Sequence, residues 1–176
     1  MTEPTPTNAL LILGSARREG DTHKLAAQVF DKSTLNWIDL LDYPLYPYSY
    51  TGSYPADDAF ERLTHQLLAH QILIFATPVY WYSMSGLMKT MFDRFTDLVT
   101  LHKPAGRQLK GKKVYLLAVG SDARLPEGFE VPFRRTAGYL DMEWGESYYR
   151  AVSELPTLSE EDRRRLRSWI GRVDTR

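Results

Sequence analysis

Residues 71–78 read Gln-Ile-Leu-Ile-Phe-Ala-Thr-Pro, and residues 9–14 read Ala-Leu-Leu-Ile-Leu-Gly. Each is a short, unbroken apolar run closed by a residue that interrupts regular structure. A half-exposed strand alternates apolar and polar residues. An unbroken run of this length is how a strand covered on both faces of a parallel sheet reads. Lys113 to Val119 (KVYLLAV), stopped by Gly120, repeats the pattern.

Between these runs the apolar spacing turns helical. Asp21 or Thr22 is placed to cap a helix carrying Leu25, Ala26, Val29 and Phe30 on one side. A strand is expected around Leu35 to Leu40, an irregular Tyr/Pro-rich loop over 42–55, and a second helix over 56–69. The strand at Gln71 to Ala76 is expected to halt at Thr77-Pro78. A helix from about Ser85 to Leu98 follows, with Leu87, Met88, Met91, Phe92, Phe95 and Leu98 on one broad side. Residues 129–141 read as helix with Pro132 in the first turn, where a missing N–H does little harm. A fifth strand is expected over 143–149. The last helix starts near Ser159, with Glu160, Glu161 and Asp162 in its acidic first turn. Strands alternating with helices predict an α/β chain with a parallel sheet and helices on both faces. Residues 1–7 read as a flexible polar lead, and 8–176 as one domain.

The bulk composition narrows the function. A 43% hydrophobic and 12% aromatic content suffices for a substantial core and argues against disorder. Lys plus Arg equals Asp plus Glu at 22 each, which gives no electrostatic reason to expect nucleic acid or an anionic membrane as partner. With no cysteine, disulfides, thiolate catalysis and cysteine-held metal or iron–sulfur sites are excluded. The start of the chain lacks the pattern of a signal peptide, and no apolar stretch is long enough to span a bilayer, so a cytoplasmic protein is expected.

In an open α/β sheet, ligands bind beyond the carboxyl ends of the strands. The first such loop is Gly14-Ser15-Ala16-Arg17-Arg18-Glu19-Gly20-Asp21-Thr22. Hydroxyls of Ser15 and Thr22, the charge of Arg17 and free N–H groups ahead of the helix suit a phosphate. It is neither a P-loop nor a G-x-G-x-x-G dinucleotide turn. On the residues alone, a polar turn that binds nothing stays open. The third loop is Thr77-Pro78-Val79-Tyr80-Trp81-Tyr82-Ser83-Met84-Ser85-Gly86. Its aromatic triplet could lie against a planar ring, or pack on the 42–55 loop or a second subunit. Val119-Gly120-Ser121-Asp122 is the weaker third candidate.

Other residues read as structural. His23 is a helix residue beside the first loop, and no histidine spacing suggests a metal site. Lys89 and Asp93, four apart, read as a surface ion pair. The basic run Arg163-Arg164-Arg165-Arg167 is offset by Glu160, Glu161 and Asp162 and reads as a solvated face.

Taken together, GSARREGDTHKLA (14–26) and TPVYWYSMSGLMKTMFDRF (77–95) resemble the phosphate loop and the flavin-ring loop of NAD(P)H-dependent FMN reductases and related flavodoxin-like quinone reductases. The resemblance covers residues 8 to 150. It implies a flavodoxin-like, doubly wound, five-stranded parallel sheet of order 2-1-3-4-5. It implies FMN as cofactor, with Ser15, Arg17, Asp21 and Thr22 in the loop that holds the phosphate. Pro78, Val79, Tyr80, Trp81, Tyr82, Ser83 and Met84 would line the ring, and Gly120 and Ser121 would touch its far side. Relatives often carry asparagine where this chain has Asp21. A carboxylate repels phosphate, so Asp21 is expected to cap the helix and turn away. No side chain is assigned as a catalytic acid or base, because flavin carries its own redox chemistry.

The implied activity passes electrons from NAD(P)H to a small acceptor (a quinone, nitro or azo compound, or free flavin) by a ping-pong route. A flavodoxin-type electron carrier and a flavin-free binding or regulatory module are the alternatives. A homodimer is expected, using Tyr43, Tyr46, Tyr48, Tyr50, Tyr54 and residues 80–82.

Overall fold

A computed structural model of the chain describes residues 8–30 and 35–171. The expected lead at 1–7 lies outside the described residues. In chain order the elements are β1 (Ala9–Leu13), α1 (Asp21–Ala27), β2 (Asn36–Asp39), α2 (Phe60–Ala69), β3 (Ile72–Pro78), α3 (Gly86–Thr100), α4 (Lys103–Gly106), β4 (Lys113–Gly120), α5 (Val131–Tyr139), β5 (Glu143–Ala151) and α6 (Glu160–Gly171). The five strands pair in parallel in the order β2-β1-β3-β4-β5, as the resemblance implied.

The unbroken apolar runs are explained by what covers them. Leu10 and Ile12 of β1 face a core shared with Leu63 of α2, Met88 and Met91 of α3 and Phe133 of α5. Ala9, Leu11 and Leu13 face the opposite core, with Leu25 of α1 and Leu166 and Trp169 of α6. Every residue of β1 and β3 is therefore buried, whichever way its side chain points.

Several boundaries differ from expectation, each for a local reason. The second helix starts at Phe60 rather than 56, because the Asp58 carboxylate accepts the N–H groups of both Phe60 and Tyr46, while Asp58 N–H closes a turn on the Pro55 carbonyl. Thr77-Pro78 does not halt β3: the strand continues to Pro78, paired with Val119. The Val79 N–H donates to β4, at the Val119 carbonyl. By alternation the Pro78 nitrogen faces the β1 side, beyond the end of β1 at Leu13, so no ladder bond is lost there. The helix expected over 129–141 spans Val131–Tyr139, with Pro132 in its first turn. β5 runs on to Ala151, past a register shift opposite Val114 and Leu116. The short helix α4, with Pro104 in its first turn, was not anticipated.

The C-terminal arginines do more than cover a solvated face. Arg163 donates to the Gln28 carbonyl beyond α1, and Arg165 pairs with Glu146 of β5 at 2.7 Å. They fasten α6 to the sheet.

Candidate functional site at the carboxyl end of the sheet

The loops after β1, β3 and β4 come together, with Val152 from beyond β5, around a cleft of about 150 Å³. Its walls are Ser15, Arg17, Gly20, Asp21 and Thr22 from the first loop, Pro78, Val79 and Tyr80 from the second, and Val119, Gly120 and Ser121 from the third. Of the residues expected in the site, Trp81, Tyr82, Ser83 and Met84 do not line this enclosed part. Met84 is buried in the core, while Trp81 and Tyr82 stand out at 93% and 68% exposure.

The first loop is tight and offers donors. Ser15 is buried, and its Oγ accepts the Arg17 N–H at 3.3 Å. Thr22 is buried too, at the start of α1. The residue at the N-cap of α1 is Gly20, with no side-chain cap bond, so neither Asp21 nor Thr22 caps the helix as expected. Asp21 instead lies between two cations, 3.6 Å from Arg17 and 3.5 Å from Lys24. Asp21 is itself among the residues that line the cleft. The two loop arginines part company. Arg17 lines the cleft, whereas Arg18 reaches to Asp42 beyond β2 at 2.7 Å. The hydrogen bond from Arg18 and its charge hold the Asp42 carboxyl below its ordinary value despite some desolvation. His23 packs edge-on against Trp37, with ring centres 5.6 Å apart, and takes no place in the cleft.

The second loop folds into a two-residue hairpin. Tyr80 N–H donates to the Ser83 carbonyl at 2.9 Å, and Ser83 N–H returns to the Tyr80 carbonyl at 3.0 Å. Both central residues have positive φ, 48° at Trp81 and 63° at Tyr82. Turns of this type ordinarily use Asn-Gly, and holding a bulky side chain in this region costs about 1–3 kcal/mol per residue. The turn leaves the N–H groups of its two central residues outside the ladder, and it presents two aromatic rings beside the cleft. The sequence flagged the aromatics and gave no sign of the strain.

The third loop is held from the side. Tyr149 of β5 donates its hydroxyl to the Asp122 carbonyl at 2.6 Å. Burial, with the nearby negative charges of Asp122 and Glu154, pushes the Tyr149 phenol up, so it stays a donor. Gly120 leaves room for that hydroxyl, since a Cβ there would approach it to 2.9 Å and Val79 Cβ to 3.0 Å. Tyr149 was missed by the sequence reading, as were Thr77 and Ser85. Thr77 and Ser85 are fully buried behind the cleft.

A larger cavity, about 850 Å³, lies elsewhere, between the 52–58 segment, α2, α3 and α4. Its deepest charged groups, Arg94 and Asp58, satisfy each other at 2.7 Å. The smaller cleft is the one at the strand ends, with polar groups converging from three loops, and it is the functional candidate. Among the described residues no cluster suited to a metal ion occurs.

The family model described as NADPH-dependent FMN reductase matches residues 7–143, which include all three loops. This chain belongs to that family. Its members are oxidoreductases named for their FMN and nicotinamide chemistry. Among curated relatives, the chain is 34% identical over 121 residues to YwqN of Bacillus subtilis (strain 168), named as an NAD(P)H-dependent FMN-containing oxidoreductase; the match covers 64% of this chain and 66% of that protein. It is 43% identical over 68 residues to the uncharacterized NAD(P)H oxidoreductase YdeQ of the same organism, covering 38% of this chain and 34% of that one. The chain thus spans less than two thirds of the length of either relative. Among solved structures, the Trp repressor binding protein from Bacillus subtilis superposes with a TM-score of 0.72 at 22% identity, covering 94% of this chain and 99% of that one. At that identity the likeness concerns the fold.

Proposed function

We propose that residues 8–176 form one FMN-binding oxidoreductase domain that takes electrons from NADH or NADPH and hands them to a small acceptor. The acceptor class is a quinone, a nitro or azo compound, or free flavin. The observation that carries this reading is the convergence of a donor-rich loop and a strained aromatic hairpin on one cleft at the strand ends.

The residues fit the cofactor. Ser15, Arg17, Thr22 and the uncapped first turn of α1 supply hydroxyl, guanidinium and N–H donors of the kind that bind a phosphate monoester. The enclosed volume suits a phosphate and the chain attached to it. Tyr80, Trp81 and Tyr82 on one side, with Gly120 and Ser121 on the other, would hold the tricyclic ring. When bound, FMN supplies hydride acceptance and onward electron transfer. The protein's part is to orient the ring and keep one face accessible, so donor and acceptor use the same opening in turn.

The exposed rings of Trp81, Tyr82 and Tyr50 suit a homodimer contact beside the cleft. A cytoplasmic setting belongs to the same reading, since reduced nicotinamides are supplied there. No described helix is long and apolar enough to cross a membrane.

The test is a visible spectrum after incubation with FMN and desalting, followed by anaerobic NADPH and then NADH. Retained flavin bands that bleach with a nicotinamide are expected. Bands that stay unbleached with both donors favour an electron carrier. A protein that neither retains flavin nor turns over free FMN sinks the oxidoreductase reading.

A further inference from the structure

Behind the cleft, three buried residues join its two main loops. Ser85 Oγ accepts the Met88 N–H at 3.1 Å, capping α3, and donates to the Gly14 carbonyl at 2.5 Å. Ser85 N–H donates to Thr77 Oγ1 at 3.1 Å, and that hydroxyl donates onward to the Pro78 carbonyl. Thr77 and Ser85 are 0% and 1% exposed, so these bonds lie away from solvent. Gly14 also presses on α3, since a Cβ there would lie 2.8 Å from the end of the Met88 side chain. Gly14 opens the phosphate-suited loop, and Thr77, Pro78 and Ser85 stand at the two ends of the aromatic loop.

We propose that Ser85 is a positioning residue that sets the phosphate loop and the ring loop at the one separation at which a single flavin mononucleotide can engage both. The proposal rests on the cleft being the FMN site. A cap serine alone needs only the Met88 N–H. The bond to Gly14, made across 71 residues of sequence, has no part in capping and ties the α3 end of one loop to the start of the other. Without it the Gly14 carbonyl loses its hydroxyl donor in a buried site, and the first loop can drift against the hairpin. A ligand gripped at one end is little affected by such a drift. A ligand gripped at both ends cannot satisfy both.

The experiment compares FMN with riboflavin, which has the ring but no phosphate, by titration of flavin fluorescence. The ratio of riboflavin to FMN dissociation constants measures what the phosphate adds. In the unmodified protein this ratio is expected to be well above one. In Ser85→Ala it is expected to fall by about tenfold, the scale of one lost charge-directing contact, with riboflavin affinity and far-UV circular dichroism little changed. Ser159→Ala removes a comparable cap from α6, where Ser159 Oγ accepts the Asp162 N–H, and is expected to leave the ratio unchanged. If Ser85→Ala does not fold, Thr77→Val is read in its place, with a smaller fall in the same direction. A folded variant whose ratio stays within about twofold of the unmodified protein overturns the proposal, as does an equal fall in Ser159→Ala. If the unmodified protein binds neither flavin, the FMN reading itself is overturned and this proposal with it.

Discussion

Two tyrosine-rich stretches flank α3, and they solve opposite problems. Over 43–60, Tyr43, Tyr54 and Phe60 pack on arginines, while Tyr50 stays exposed. Arg94 of α3, 2% exposed, forks onto Asp58 at 2.7 and 2.9 Å, reaches Asp97 at 2.7 Å and holds the Tyr46 carbonyl. Tyr54 lies over its guanidinium at 3.5 Å and donates to Asp97, and Tyr43 lies under Arg62. Over 80–83 nothing pulls the rings in, and the backbone is bent to hold them out. The first stretch is held by these partners apart from Tyr50, and the second is strained and exposed. Both are rich in tyrosine. What separates them is whether a partner lies within reach, and strain kept without a structural partner accords with the binding role proposed for the hairpin.

The contrast can be broken most forcefully at Arg94. Arg94→Met leaves Asp58 and Asp97 buried without their cation and is expected to cost about 3–5 kcal/mol, read by urea unfolding. A loss under about 1 kcal/mol would mean that the segment is held by its apolar contacts instead. The pH dependence sharpens this. Burial pushes the Asp58 carboxyl up, but hydrogen bonds from Arg94 and the Tyr46 N–H, with the charge of Arg94, outweigh it and leave the group below its ordinary value of 3.8. A carboxyl depressed in the folded state stabilises fully above its unfolded value and loses that contribution as pH falls through the folded one. Acid unfolding of the native protein should therefore carry an Asp58 contribution that is absent in Arg94→Met.

At the other stretch the expected change is a gain. Replacing Trp81 by Asn and Tyr82 by Gly supplies the pair that favours this turn, and stability should rise by about 1–2 kcal/mol while flavin affinity falls at least tenfold. Unchanged affinity would show that the hairpin takes no part in ring binding. The smallest effect concerns Asp21, which lines the cleft. Asp21→Asn removes one unit of repulsion on a phosphate, worth ~1 kcal/mol in water, so the FMN dissociation constant should drop about fivefold, and less in high salt. No change would mean that the phosphate sits out of reach of that wall.

The layout was legible in the sequence because a doubly covered sheet needs uninterrupted apolar strands, and those runs at 9–13, 71–76 and 113–119 have no other simple reading. The loops proposed to bind were legible by position, since they leave the carboxyl ends of β1, β3 and β4. What escaped was set by residues far apart in the chain. Arg94 holds Asp58, whose bonds precede α2, although it lies 36 residues further on. Pro78 is tolerated in β3 because β1 ends early. Ser85 and Gly14, and Tyr149 and Asp122, meet only once the sheet has formed. The tyrosines offered as one dimer surface divide for the same reason, since Tyr43 and Tyr54 already have internal cations to cover.

Hydrogen exchange of the backbone amides, with and without FMN, tests the central claim most directly. The account predicts added protection confined to residues 14–22, 78–84 and 119–122, with 43–60 unchanged. Protection centred on 52–69 and 94–108, around the larger cavity, or no protection anywhere, would contradict it.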